Sequence, residues 1–251
     1  IGTCLVGSEM CIRDSDINFP LLGIPTRIHP GFWVIGLLLG GQVGDMRLTL
    51  IWIGCLFVSI LVHELGHALV ARHYGWAPRI TLYHFGGLAP FSPSWGFNRK
   101  RMILLLLAGP GAGFVLYGVV AAIEFGLIEA VKDGQEWAIR LISVPRPEEG
   151  QPVFRNGVLF AIYQLESINL YWGLVNLLPV FPLDGGQICH EALNARSSHK
   201  GRVRTHQVGM VTAACVALYF VSQDRMFAGL MFAGFAYENY RHYSQMTTYR
   251  Y

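Results

Sequence analysis

Three ionisable side chains stand within five residues of one apolar stretch, in the run His63-Glu64-Leu65-Gly66-His67. On a helix, positions i and i+4 share a face one turn apart. Two imidazoles at that spacing can reach one tetrahedral divalent ion. A carboxylate beside the first can hold a water and take its proton. The bare pattern His-Glu-x-x-His also arises by chance. Its setting adds weight, because ionisable groups inside an apolar helix are costly and call for a shared partner. The competing reading is a helix end at the membrane surface, with these side chains solvated. A catalytic zinc site takes three protein ligands and a water. A second polar run, Asn176-Leu-Leu-Pro179-Val-Phe-Pro182-Leu-Asp184-Gly185-Gly186, supplies a candidate for the third ligand. Asp184 is its one carboxylate. Pro179 and Pro182 end or unwind the preceding helix, and the two glycines allow tight backbone geometry. Here the alternative is an ordinary helix-ending turn with Asp184 in water.

The elements that must position these groups follow from composition. The chain has 251 residues, of which 53% are hydrophobic and 14% charged. A soluble domain carries about 25% charged residues, so 35 charged side chains would solvate this surface poorly. Mean hydropathy is +0.39. The same numbers exclude a disordered chain. A net charge of +3 makes no strong basic field, so no nucleic-acid partner is expected. What fits is an all-α polytopic membrane protein whose partner is the lipid bilayer. The five cysteines are scattered without a CxxC, which predicts neither a disulfide framework nor a Cys-based zinc site. Residues 1–15 lack the features of a signal peptide. Their run Val6-Gly-Ser-Glu-Met-Cys-Ile-Arg-Asp-Ser15 resembles translated adapter sequence, and they are expected to be non-native or disordered. The expectation is a single integral membrane domain over 16–251.

Six apolar stretches stand out: 31–43, 48–71, 102–128, 157–179, 207–222 and 226–236. About 20 residues cross a bilayer. The first, fifth and sixth are short, so about six spans are expected, with four to six allowed. The last two form either two spans or a re-entrant pair. Arg72, Arg79, Arg99, Lys100 and Arg101 lie between the second and third stretches with no acidic residue. Arg196, Lys200, Arg202 and Arg204 follow the fourth, against Glu191. Lys and Arg accumulate on the cytoplasmic side. This places both basic connections inside, and the mixed one between the third and fourth stretches outside. His63 then lies about 22 Å into the second helix, toward the cytoplasmic side of a core about 30 Å thick. The same rule brings the end of the fourth helix, and Asp184, to that side. Residues 77–94 alternate and then break at Gly86-Gly87, Pro90 and Pro93, predicting one or two short membrane-associated strands. Residues 144–152, with three prolines, read as a solvated external loop.

These residues together resemble the site-2 proteases, the intramembrane zinc metalloproteases. That family carries His-Glu-x-x-His in one transmembrane helix and Leu-Asp-Gly after another, matched here by His63, Glu64, His67 and Leu183-Asp184-Gly185. The resemblance implies one Zn²⁺ per chain, held by His63, His67 and Asp184, with Glu64 activating the water. It extends to Asn-x-x-Pro-x-x-Pro, which places Asn176 where the family has an Asn that helps stabilise the reacting carbonyl. Gly86-Gly87 looks like the family's membrane-associated strand segment, and Ala108-Gly-Pro110 is similar to another recurring element. The resemblance covers roughly residues 30–187. The last sixty residues match no motif. Relatives with an inserted PDZ domain or a C-terminal CBS pair have no counterpart stretch here, so a compact form is expected.

The implied reaction is peptide-bond hydrolysis within or near transmembrane segments of membrane protein substrates, at the cell membrane, on the cytoplasmic side. Glu64 would take a proton from water and pass it to the leaving amine. The β-prone Ile80–Phe85 segment is a candidate for pairing with an unwound substrate by strand addition. Two alternatives stand beside this reading. One is a zinc-binding membrane scaffold without proteolysis, against which the intact Glu64 argues. The other is a prenyl-protein-type membrane zinc endopeptidase, which takes its third ligand from a downstream Glu. Glu124, Glu166 and Asn169 read either as a water path or as polar contacts between helices. His73, His84, His190 and His206 read as interfacial side chains. The sequence names no substrate and assigns no oligomeric state.

Overall fold

The computed structural model describes residues 16–41, 44–83, 86–88, 91–92, 98–142, 157–194 and 198–248. The expectations for residues 1–15, for His84 and for the loop 144–152 fall outside them. The chain divides into two compact units. The first is Ile1–Ser94 with Gly111–Tyr171, and the second is Trp95–Pro110 with Trp172–Tyr251.

The first unit opens with a hairpin of β1 (Ile17–Leu21) and β2 (Ile24–Ile28). Leu21 pairs with Ile24, leaving a two-residue turn, and Leu22 and Gly23 both take positive φ, at 50° and 78°. That is the backbone a tight hairpin needs to match strand twist. Helix α1 (Pro30–Gly40) follows, its His29 cap accepting from the Gly31 amide at 3.0 Å. Helix α2 (Met46–His73) starts at Asp45, whose carboxylate accepts from the amides of Arg47 and Leu48 at 2.7 and 3.3 Å. It stops at Gly75, where φ is +76°. There the Gly75 amide donates to Arg72 O at 2.9 Å and the Trp76 amide to Ala71 O at 3.0 Å. This is the Schellman closure, which favours glycine at the left-handed position.

Four short strands come next: β3 (Ala77–Pro78), β4 (Ile80–Tyr83), β5 (Gly86–Leu88) and β6 (Phe91–Ser92). The main sheet has the order β1-β2-β4-β5, with β2 and β4 parallel and the other pairs antiparallel. Ile24, Thr26 and Ile28 alternate into the interior from β2, and Ile80 and Leu82 do so from β4. Strands β4 and β5 of this sheet pack against α2. Residues 77–94 form four short strands where one or two were expected, and the N-terminal hairpin joins two of them, β4 and β5, in the main sheet. This also corrects the strand-addition expectation. Across Ile80–Tyr83, β4 is an interior strand, paired with β2 on one side and β5 on the other, so its edges are taken. Among the described residues the open edges of that sheet are β1 and β5.

Helix α3 (Arg99–Lys132) and α5 (Gly157–Asn176) contribute to both units, and the short α4 (Glu136–Ile142) lies between them in sequence. Inside the first unit, Asn169 of α5 donates to the Ser59 hydroxyl of α2 at 2.9 Å, and both side chains are buried. Packing polar contacts between helices is thus the role the structure gives Asn169. The second unit holds α6 (Asp184–Leu193), α7 (Ser198–Ser222) and α8 (Met226–Thr248). Its core joins Val180, Ala213, Ala217 and Phe232, with Leu183, Phe220 and Phe235 packed against them.

Among the described residues, four helices are long and apolar enough to cross a membrane: Met46–His73, Arg99–Lys132, Gly157–Asn176 and Lys200–Ser222. At 1.5 Å per residue the eleven residues of α1 reach only about 16 Å, short of a hydrocarbon core about 30 Å thick. The protein is a mostly helical membrane protein with a small sheet, within the expected four to six spans.

Candidate metal centre

Helix α2 carries His63, Glu64 and His67 some 17 to 21 residues after its first residue, or about 26–32 Å along its axis. All three are buried, with 3%, 5% and 5% of their surface exposed. The helical spacing does what the sequence requires of it. The two Nε2 atoms lie 3.2 Å apart, and the rings meet edge to face at 81°. Two nitrogens bound tetrahedrally to one zinc at 2.0–2.1 Å sit about 3.3 Å apart. The imidazole pair therefore fits the ion the donor set implies, and without it one ring N–H can donate to the other. Neutral imidazole nitrogens are also the right donor chemistry for zinc. Glu64, on the adjacent position of the same turn, brings a buried carboxylate to that end of α2.

The second unit presents the other motif. Asn176 is the last residue of α5 and is buried. Its Nδ2 donates to Trp172 O one turn back at 3.0 Å, so part of its donor capacity is already used by its own helix. The chain then leaves the helix through a compact turn. The Val180 amide donates to Leu178 O at 2.7 Å and the Leu183 amide to Val180 O at 2.8 Å. The Phe181–Pro182 peptide is cis. Asp184, 8% exposed, opens α6, where a carboxylate is favoured by the helix dipole.

Gly185 and Gly186 are required here, though for a reason the sequence reading did not specify. Neither has the left-handed φ that demands glycine. A Cβ on Gly185 would overlap the backbone carbonyls of Leu177 and Leu178. One on Gly186 would overlap Val180 and the Phe181 nitrogen. The first turn of α6 lies directly on the preceding turn, and only hydrogen fits between them.

Further along α6, His190 and Glu191 line a cavity of about 350 Å³ within the second unit, with Phe181, Gln187, His206 of α7 and His242 of α8. Burial pushes the His190 imidazole below its ordinary value. Glu191 opposes this and Arg202 adds to it. His190 Nε2 meets the Asn194 amide nitrogen at 2.7 Å. His190 and His206 are thus inward-facing polar groups, where the sequence suggested interfacial ones. The sequence reading also passed over Asn239 of α8, which is fully buried. Its signal is weak: one amide between Glu238 and Tyr240 in a stretch that matches no motif.

Residues 51–220 match the family model described as Peptidase family M50. The chain is 27% identical to Stage IV sporulation protein FB of Bacillus subtilis (strain 168) over 226 residues, covering 87% of this chain and 66% of that protein. It is 29% identical to a zinc metalloprotease of Methanocaldococcus jannaschii over 182 residues, covering 71% of this chain and 45% of that one. The chain thus spans under two thirds of these relatives' own length. A solved structure, the site-2 protease from Methanocaldococcus jannaschii, matches with a TM-score of 0.58 at 22% identity, covering 91% of this chain and 95% of that chain. That match shows a shared fold.

Proposed function

Because the chain belongs to peptidase family M50, we propose that it is an intramembrane zinc metalloprotease, hydrolysing peptide bonds within or near transmembrane segments of membrane protein substrates. One observation carries the reading. Two buried imidazoles have Nε2 atoms 3.2 Å apart beside a buried carboxylate, on a helix apolar enough to cross a membrane. Solvated side chains at a helix end would have no reason to be arranged this way.

In this proposal His63, His67 and Asp184 hold one Zn²⁺ per chain. All three are ligand-type residues, and all three are buried. Zinc supplies a Lewis acid that polarises a carbonyl and acidifies water. The chain's own residues do the rest. Glu64 is the general base: its carboxylate accepts a proton from water and returns it to the leaving amine nitrogen. Burial favours the role by keeping bulk water from competing for that proton. Asn176 helps stabilise the oxygen of the reacting carbonyl with the amide hydrogen that its bond to Trp172 leaves over. The protease domain covers 16–251, with its catalytic core at about 30–187, and residues 1–15 lie outside it. The protein sits in the cell membrane with the site toward the cytoplasm, a placement supported by the basic residues between α2 and α3 and after α5.

The test is zinc content and cleavage in proteoliposomes. Wild-type protein is expected to bind one zinc and cut a transmembrane reporter, and a chelator should stop the cut. Asp184→Asn should bring bound zinc well below one per chain. Full retention would remove Asp184 from the ligand set and favour a protease of the prenyl-protein type.

A further inference from the structure

Asn239 makes three hydrogen bonds with one amide. Its Nδ2 donates to Phe235 O in its own helix at 2.8 Å and to Phe181 O, 58 residues away, at 2.9 Å. Both are carbonyl oxygens, which fixes the orientation of the amide. Oδ1 must then accept, and it lies 3.1 Å from His206 Nδ1. His206 therefore carries a proton on Nδ1. The imidazole ring also lies 5.2 Å from that of Phe181 between centroids, tilted by 34°, and stacks on that of His242 at 5.2 Å. Gly209 of α7 closes the arrangement. A Cβ there would sit 2.5 Å from Asn239 Oδ1 and 3.3 Å from Pro179 O, so α7 passes close to both α8 and the turn. A buried amide that satisfies all its groups is a rigid joint, and losing one partner leaves others buried and unpaired.

The partner on the turn matters most. Phe181 stands three residues before Asp184, and the Leu183 amide bonds back to Val180 O. Holding the Phe181 carbonyl fixes the short segment from which Asp184 projects. We propose that Asn239 is a positioning residue for Asp184, acting through the turn at residues 179–183, with His206 orienting its amide. The C-terminal helices thereby serve the metal site without contributing a ligand. This rests on the reading of Asp184 as a zinc ligand.

The experiment measures zinc loss from the purified full chain to a competing chelator. Helical content, monodispersity and melting temperature are followed alongside. Residues that orient metal ligands typically cost about 10–100-fold in metal affinity when removed. Asn239→Ala is expected to speed zinc loss by about that factor. Asn239→Leu fills the same space without the bonds and decides the matter if the Ala variant does not stay monodisperse. Phe220→Leu is the packing control: its ring stacks on Phe232 between α7 and α8, and its loss is expected to leave zinc kinetics near wild type. Asp184→Asn is run in parallel. If it loses zinc while a folded Asn239 variant retains zinc like wild type, the positioning role is overturned and the ligand reading stands. If Asp184→Asn itself retains zinc fully, the ligand reading fails and the positioning role falls with it. If Phe220→Leu loses zinc as fast as Asn239→Ala at equal stability, the effect is general loosening and the proposal is overturned.

Discussion

Gly185→Ala adds one methyl group where the structure has no room for it. The new Cβ would overlap backbone carbonyls of Leu177 and Leu178, which cannot rotate away as side-chain ends do. The preceding turn must shift, or the first turn of α6 must tilt. Forcing an extra carbon into a packed site costs about 1–3 kcal/mol. Alanine recovers part of this, since it is up to about 1 kcal/mol better than glycine inside a helix. Because the overlapped atoms are backbone, the cost falls at the upper end of that range, about 2–3 kcal/mol, and a net loss of about 1–2 kcal/mol remains. At about 2–4 °C per kcal/mol for a chain of this length, the melting temperature should fall by about 2–8 °C. Gly118→Ala in α3 is the matched control. Gly118 is exposed, and a Cβ there meets nothing within 4 Å. The same chemical change should raise the melting temperature by about 2–4 °C. Both variants are measured by tryptophan fluorescence on heating in detergent, with bound zinc assayed in parallel. Gly185→Ala should also weaken zinc retention, because the next residue back is Asp184. A Gly185→Ala protein as stable as wild type, with normal zinc, would refute the close-approach argument.

Two further outcomes are expected. Ser59→Ala and Asn169→Ala each break the 2.9 Å bond between α2 and α5, and each should cost about 1–3 kcal/mol. The double variant should cost less than their sum, and strict additivity would show the bond contributes nothing. The second outcome concerns pH. His190 has its folded value held below 6.5, by burial first, so the unfolded chain takes up the proton before the folded one does. Its contribution to stability is complete above pH 6.5 and is lost as pH falls from there through the lowered folded value. His190→Gln should flatten the decline of melting temperature between pH 7 and 5, and an unchanged slope would count against it.

Local periodicity made much of this molecule legible. The His63, Glu64 and His67 constellation depends only on helical spacing, and α2, α3 and α5 are long apolar runs. The Pro179, Pro182 and Gly185-Gly186 pattern announced a tight turn before Asp184. What escaped depends on pairing or on distance. The first hairpin was hidden because Pro20 and Pro25 break a strand pattern. They are tolerated because they stand opposite each other next to the turn, before β2 begins to pair with β4 at Thr26. Its turn uses Leu22-Gly23 instead of the usual Asn-Gly or Asp-Gly signal. That β4 is an interior strand follows from β2, more than fifty residues earlier. The joint at Asn239 links residues 58 positions apart, and no periodicity reports such a contact.

In the proposed mechanism Glu64 performs proton transfer at a zinc site in the membrane. The most direct test compares wild type with Glu64→Gln in proteoliposomes bearing a transmembrane reporter, with zinc counted in both. Loss of a general base lowers a rate by about 10²–10⁴-fold. One zinc per chain is expected in both proteins, with cleavage falling by that factor in the variant. Cleavage by Glu64→Gln at the wild-type rate, with the same zinc bound, would contradict it.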